Sequence, residues 1–266
     1  MTNRYVIKHS SAVQISNKIN LLQRRAWNIL LANAYEDLIE QEEYKVNIRE
    51  LMDALGLEKS KNLEYLKDIL RSLVSTSIEW NILGKDEQHT WEITTLLSMA
   101  VIQSGYLIYS YAPRLRRKLY NPNIYARISL SMQNKFDSKH TLALYELCID
   151  YFIAKRGCGY TPTIPLDVFK RLLGFGEETY TNFKDLNKTV IKPSINEINE
   201  KSDIHVIVEF EKKNKEVCGI RFTIEPNKEN KNIVLLTEIP KEESAPDIKI
   251  VETVINDELY NKLLSC

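Results

Sequence analysis

The residues best suited to chemistry are amides, a hydroxyl and lysines on the first half of a predicted helix over residues 179–201. They lie away from an apolar stripe at helical spacing, and they are Thr181, Asn182, Lys184, Asn187, Lys188 and Lys192. Asparagine can bind both polar atoms of adenine that face the major groove of DNA, and lysine can donate to guanine or to a phosphate. The pattern favours a recognition helix, and the alternative is an ordinary solvated helix face.

A lysine-rich turn follows this helix. The segment Glu211–Glu216 holds Lys212, Lys213 and Lys215, and alternating apolar stretches at residues 204–210 and 217–224 flank it. The alternation predicts two paired strands, so the lysines would lie on a wing where they could neutralise phosphates. The flanking glutamates support the alternative of a hydrophilic turn without a partner.

The elements that position these residues occur twice in the chain. Leu51–Leu57 and Phe169–Phe175 are each predicted to form a short helix that ends in a glycine turn. A second helix and an alternating strand follow in both copies. In the first copy, the equivalent surface of the second helix comprises Ser60, Lys61, Asn62, Tyr65, Lys67 and Arg71, and Lys61, Asn62, Lys67 and Arg71 are its candidate DNA contacts.

The order of elements in both copies is helix, helix, turn, helix, strand, wing and strand, which is the order of a winged helix. The predicted fold class is therefore α+β, with two tandem winged-helix domains, each a helix-turn-helix plus a β-hairpin, and a polar C-terminal tail. We place the N-terminal domain at residues 1–135, the C-terminal domain at 136–226 and a flexible tail at 227–266. Their net charges are +4, −1 and −3, so a DNA-binding surface would depend on local basic clusters.

The densest basic cluster follows Pro113 and comprises Arg114, Arg116, Arg117 and Lys118. It is predicted to form a short helix. As a phosphate clamp it would strengthen DNA binding through the release of counterions. A solvated helix face is an equal alternative.

Signatures of several other functions are missing from the sequence. There is no phosphate-cradling glycine loop, and the four histidines are too far apart in sequence to form a paired metal-ligand motif. A DNA-nicking replication enzyme needs such a histidine pair. No apolar run approaches the ~20 residues of a membrane span, and the N-terminus lacks the apolar core of a signal peptide. We therefore expect a cytoplasmic protein that is not an enzyme, needs no cofactor or metal, and has no membrane partner.

Four segments in order carry a resemblance to a known family: Val6–Ser11, Leu66–Leu73, Phe183–Pro193 and Ile195–Asn199. Their spacing over two winged helices resembles the plasmid replication initiators of the Rep_3 superfamily, the iteron-binding Rep proteins. The resemblance runs from about Val6 to Glu225 and leaves the tail unmatched. The family's recognition positions fall on Lys184, Asn187 and Lys188, although relatives often carry arginine at the last two.

The resemblance implies a division of labour between the domains. The N-terminal domain would mediate dimerisation and contact the DNA backbone, while the C-terminal domain would read the sequence. Such a protein binds direct repeats (iterons) at the plasmid origin as a monomer and represses its own gene at an inverted repeat as a dimer. Its partners are double-stranded DNA, a second copy of itself, and the host replication initiator and helicase. We expect the apolar β-rich stretch Ile78–Tyr111, with Trp80 and Trp91, to form the dimer surface.

Three other functions remain open at this point. A tandem winged-helix transcriptional repressor without initiator activity would bind a lone palindrome and not direct repeats. A protein-interaction scaffold would fail to bind any duplex at low salt. A nicking enzyme would leave a phosphotyrosine adduct on supercoiled plasmid.

Overall fold

The computed structural model describes residues 5–16, 18–57, 63–84, 92–120, 125–153, 156–176 and 178–228. Ser60, Lys61, Asn62, Trp91 and the tail from residue 229 lie outside the described residues. What the sequence predicts for them remains a prediction.

The first half of the chain has helices and short antiparallel strands in winged-helix order. Its helices are α1 (Ser10–Val13), α2 (Leu21–Ala34), α3 (Ile48–Ala54), α4 (Leu63–Ser75), α5 (Pro113–Leu119) and α6 (Leu130–Gln133), with a 3-10 turn at Tyr35–Asp37. Its strands are β1 (Tyr5–His9), β2 (Tyr44–Asn47), β3 (Ser77–Glu79), β4 (Ile93–Thr95), β5 (Met99–Gln103), β6 (Tyr106–Ser110) and β7 (Tyr125–Ser129). Strand β1 pairs with β7, β3 with β4, and β6 with both β2 and β5.

Helix α2 lies at the centre of the first core. A capping box starts it, because the side chains of Asn20 and Gln23 each accept a hydrogen bond from the other's backbone. Trp27 on this helix is fully buried and meets Trp80 edge-on, with ring centroids 6.1 Å apart, a contact that adds about 1 kcal/mol beyond burial. The expectation that Trp80 belongs to a dimer surface is therefore wrong, since its own chain buries it.

The second half repeats the order with a longer hairpin. Its helices are α7 (Lys139–Tyr151), α8 (Leu166–Leu172), α9 (Phe183–Leu186) and α10 (Lys192–Lys201), and a π-helical turn at Asn187–Ile191 joins the last two. Its strands are β8 (Phe152–Ile153), β9 (Cys158–Tyr160), β10 (Ile164–Pro165), β11 (Ile204–Lys213) and β12 (Glu216–Pro226). Strand β12 pairs with β11 along one edge and with β9 and β10 along the other. The α+β fold class with two winged helices is confirmed.

Helix α7 contacts both halves of the chain. Toward the second half, the Tyr145 hydroxyl donates to Asp203 over 2.9 Å, and the helix packs against α10. Toward the first half, it contributes two carboxylates to a buried set of polar residues that we call the interdomain polar cluster. The cluster consists of Lys8, Ser10, Gln14, Arg24, Asn28, Gln133, Glu146 and Asp150.

His140, in the first turn of α7, couples the stability of the second half to pH. Its ring stacks on Phe175 with centroids 4.6 Å apart, and its Nδ1 lies 3.1 Å from the Leu173 carbonyl oxygen. Burial, with a smaller effect of neighbouring Lys139, lowers the pKa of His140 to about 4. Because the unfolded imidazole keeps its higher pKa, the unfolded state binds the proton first as the pH falls.

We therefore expect the free energy of unfolding to fall between pH 6.5 and pH 4, and His140→Phe to flatten this part of the pH dependence. Phenylalanine retains the ring contact with Phe175 but does not titrate. Urea denaturation of both proteins across this interval measures the effect. Parallel curves for the two proteins would contradict the assignment.

Candidate nucleic-acid interface

The predicted recognition helix begins later than expected and contains a wider turn. Helix α9 starts at Phe183, because the Asn182 side chain accepts from the Lys184 backbone N–H at 2.8 Å and caps it. The predicted start at residue 179 is wrong, since residues 178–180 form a turn in which Tyr180 has a φ of 54°. Thr181 and Asn182 therefore precede the helix, and Asn182 has a structural role as its cap.

The π-helical turn is explained by Pro193. Proline has no N–H to donate, and its ring would collide with the carbonyl one turn earlier in a regular α-helix. Here the Lys192 N–H donates to the Asn187 carbonyl, five residues back, and the turn is wide enough to accept the ring. The Thr189 hydroxyl donates to the Asp185 carbonyl over 2.6 Å and satisfies that group. The helical segment thus continues from Phe183 to Lys201.

Three lysines form a row on the solvent face of this segment. Lys184, Lys188 and Lys192 are four residues apart and exposed, so their side chains project from one face of the helix. Within the described chain none of the three has an ion-pair partner. The opposite face is buried and consists of Leu186, Val190, Ile191, Ile195 and Ile198. We refer to the three lysines as the lysine row.

Other polar residues surround the lysine row. Asn187 is half-buried beside it. Thr189 and Asn196 are exposed on the same segment and were not among the residues predicted from the sequence. The helical spacing itself could have identified Asn196, which lies four residues after Lys192. The exposed polar face of the helical segment is therefore longer than predicted.

The wing is a β-hairpin with a tight turn. Strands β11 and β12 are connected by Asn214 and Lys215, whose φ angles are 52° and 72°, as in the type I′ turns that suit twisted hairpins. Lys212, Lys213 and Lys215 are all exposed. Because successive side chains of a strand point to opposite faces, Lys212 and Lys213 cannot serve the same phosphate.

The first unit presents a different surface. On α4, Lys67 lies 2.5 Å from Glu64, and Arg71 pairs with Asp68 on the same exposed side. These pairs compensate the positive charges that we expected to contact DNA. On the described part of α4, the positive charges at the positions that correspond to the lysine row are thus offset by neighbouring carboxylates.

The basic cluster of α5 is largely occupied by contacts within the chain. Arg114 and Lys118 both pair with Glu92, at 2.7 and 3.2 Å, and Arg116 donates to the Gln41 carbonyl. Arg117 is exposed. The cluster is neither a free phosphate clamp nor a merely solvated face, because three of its four cations fasten α5 to neighbouring segments.

Among the described residues, no group of three or more histidine, cysteine or acidic side chains is arranged to hold a metal ion. No helix in the same residues has the length and apolar character needed to cross a membrane.

Comparison with known proteins places this architecture in a family. A model described as "Initiator Replication protein, WH1" matches residues 5–149, and one described as "Initiator Rep protein, WH2" matches residues 165–224. A search of curated proteins found no match.

Two solved structures show the extent of the similarity. The Pi initiator protein, solved in complex with iteron DNA, has a TM-score of 0.67 at 17% identity, and the match covers 86% of this chain and 99% of that one. A selenomethionine structure of domains 2 and 3 of RctB reaches a TM-score of 0.43 at 11% identity, over 78% of this chain and 81% of that one. The family models, and the fold shared with Pi, agree with the two winged helices described above. The chain belongs to the Rep_3 family of initiator replication proteins.

Proposed function

We propose that this chain initiates plasmid replication by binding direct repeats at the origin as a monomer, and that it represses its own gene as a dimer. The lysine row is the observation that supports the DNA-binding part most strongly. Three cations without an ion-pair partner among the described residues lie on one exposed face of the second helix of a helix-turn-helix, the element that reads the major groove in such motifs. The role is one of binding and recruitment, and it requires no catalysis by the chain itself.

In this proposal the two winged helices engage one face of the duplex. The segment from Phe183 to Lys201 enters one major groove, and the first unit contacts the backbone about one helical turn away. Together they cover about 20 base pairs. Several copies on adjacent repeats would share the cost of bending the DNA, which favours melting of a neighbouring AT-rich region and recruitment of the host initiator and helicase.

Strand β5 is the surface that we propose for the dimer. Among the described residues β5 pairs only with β6, so the backbone N–H and C=O groups on its other edge have no strand partner there. A strand from a second copy could pair with this edge and extend the sheet. Val101 on β5 and Tyr106 at the start of β6 are both exposed. This surface replaces Trp80 in the expected dimer contact.

The wing is expected to act through phosphate contacts. Lys212→Ala or Lys213→Ala should lower the slope of log affinity against log salt by about 1 where the lysine neutralises a phosphate. Because their side chains point to opposite faces of β11, we expect the effect from one of the two variants and not from both. Titrations between about 50 and about 200 mM salt measure the slopes. Unchanged slopes in both variants would place the wing away from the DNA.

A replication assay separates the initiator from the alternative of a repressor alone. A plasmid that carries the DNA flanking this gene, but no other origin, is introduced into cells that supply the chain in trans. Maintenance that depends on the intact chain supports initiation. Repression of a reporter without plasmid maintenance would support the tandem winged-helix repressor instead.

A further inference from the structure

We propose that the interdomain polar cluster sets the relative orientation of the two winged helices, and thereby fixes the spacing of DNA contacts that the protein accepts. The inference rests on the proposed function, because it assigns a positioning role within two-domain DNA binding. Within the cluster, Glu146 and Asp150 on α7 are the residues that position the two domains relative to each other.

Glu146 is the centre of the cluster. Its side chain is fully buried and accepts three hydrogen bonds, from Lys8 at 2.7 Å, Arg24 at 2.6 Å and Asn28 at 2.7 Å. All three donors belong to β1 or α2 of the first winged helix. Asn28 also donates to Gln133 at the end of α6, over 2.9 Å.

Asp150 extends the same contact by one helical turn. It accepts from the Ser10 hydroxyl at 2.5 Å and from the Gln14 amide at 2.9 Å. Because residues four apart share a helix face, both carboxylates of α7 point toward the first winged helix. Two separated anchor points on one face fix the rotation of α7 as well as its position.

Helix α7 is also fastened to the second winged helix. Tyr145 bonds Asp203 immediately before β11, and Phe136 packs on the same ring with centroids 5.0 Å apart. The helix also packs against α10, which carries the end of the lysine row. A shift of α7 relative to α2 would therefore move the lysine row relative to α4.

Hydrogen bonds suit this task better than apolar contacts do. Apolar surfaces tolerate small shifts, whereas the hydrogen bonds to a buried carboxylate are lost when its donors move away. The cluster thus selects one arrangement of the two domains. Since DNA presents the same groove face once per helical turn, a fixed arrangement accepts one spacing of contacts.

The test uses a duplex recovered from a random-sequence pool by binding to the full-length wild-type chain. Insertions of about 5 and about 10 base pairs at the centre of its footprint displace the two contacts by half a turn and a full turn. For the wild type, we expect the half-turn insertion to weaken binding by about 100-fold or more, as expected when one of two tethered contacts is lost. For Asp150→Asn, we expect the ratio between the original and the half-turn duplex to shrink to about tenfold or less, because the domains can readjust.

Two further variants keep the result interpretable. Ser10→Ala removes one donor to Asp150 and leaves every charge in place, so it should shrink the ratio in the same direction even where Asp150→Asn folds poorly. Glu79→Gln is the matched control, because Glu79 also joins the two halves, through an exposed ion pair with Arg171 at 2.9 Å. Such a pair contributes little, and we expect the wild-type ratio from this variant.

The outcomes separate the inference from the proposed function. A wild type that tolerates the half-turn insertion would contradict binding through both domains. A sensitive wild type with equally sensitive Asp150→Asn and Ser10→Ala variants would overturn the positioning role and leave the proposed function intact. A simple loss of stability would weaken binding to all duplexes alike and leave the ratio unchanged, so it cannot imitate the predicted result.

Discussion

Replacing Lys188 with alanine is expected to weaken binding to the preferred duplex by about 1–3 kcal/mol, or roughly 5- to 150-fold. Lys188 lies in the middle of the lysine row, it is exposed, and it has no ion-pair partner within the described residues. Its charge is therefore available to a base edge or a phosphate without first breaking another contact. Lys184→Ala should act in the same direction, and the double variant should bind more weakly than either single one.

Comparison of specific and nonspecific duplexes distinguishes the two kinds of contact. Loss of a base contact lowers affinity for the preferred duplex alone, whereas loss of a phosphate contact weakens binding to every duplex and reduces the salt slope by about 1. Lys201→Ala is the control on the same helical segment. Lys201 already pairs with Asp137 and Glu197, at 2.6 and 3.0 Å, so its removal should leave the affinity nearly unchanged. Equal losses from Lys188→Ala and Lys201→Ala would contradict the recognition role of the lysine row.

The largest effect on stability is expected from Glu146→Gln. This change leaves Lys8 and Arg24 buried without their shared counter-charge, and breaking a buried ion pair in this way costs about 3–5 kcal/mol. Glu64→Gln is the matched control, because Glu64 is an exposed partner of Lys67, and such pairs contribute about 0–1 kcal/mol. Chemical denaturation at neutral pH measures both. A loss near that of the control would show that the cluster is not stabilised by its charges.

The pH dependence of this stability has a definite sign. Burial opposes the charge on Glu146, but the attraction of Arg24 and Lys8 and their hydrogen bonds outweigh it and lower the pKa of Glu146 to about 2. The folded pKa thus lies below the unfolded value of 4.5, so the contribution is fully present above pH 4.5 and is lost as the pH falls toward 2. The difference in unfolding free energy between wild type and Glu146→Gln should shrink across that interval. A difference that does not depend on pH would contradict the ionic role of Glu146.

The repeated fold could be predicted from the sequence because both copies carry local signals. The apolar spacing of α4 and the glycine after α3 are visible in short windows, and so is the alternation of β11 and β12. The start of the predicted recognition helix was placed too early. The Asn182 side chain caps the helix and Tyr180 has a positive φ, so the residues before Phe183 are not helical. The π-helical turn was missed, although Pro193 marked its position.

Contacts between distant residues could not be predicted in this way. Lys8 and Glu146 are 138 positions apart, and nothing in the residues near either one indicates the other. The same holds for Arg114 and Lys118, whose partner Glu92 lies on a separate segment. Charge density along the sequence therefore overstated the free positive surface of α5, whereas the three lysines of the lysine row have no ion-pair partner among the described residues.

The most direct test of the account is a hydroxyl-radical footprint of the full chain on the DNA that flanks its gene. We expect direct repeats of about 20 base pairs, each protected in two patches about one helical turn apart on a single face. We also expect Lys184→Ala and Lys188→Ala to weaken protection of the patch under the second winged helix first. Protection of a lone palindrome, or of one patch per site with no dependence on these lysines, would contradict the account.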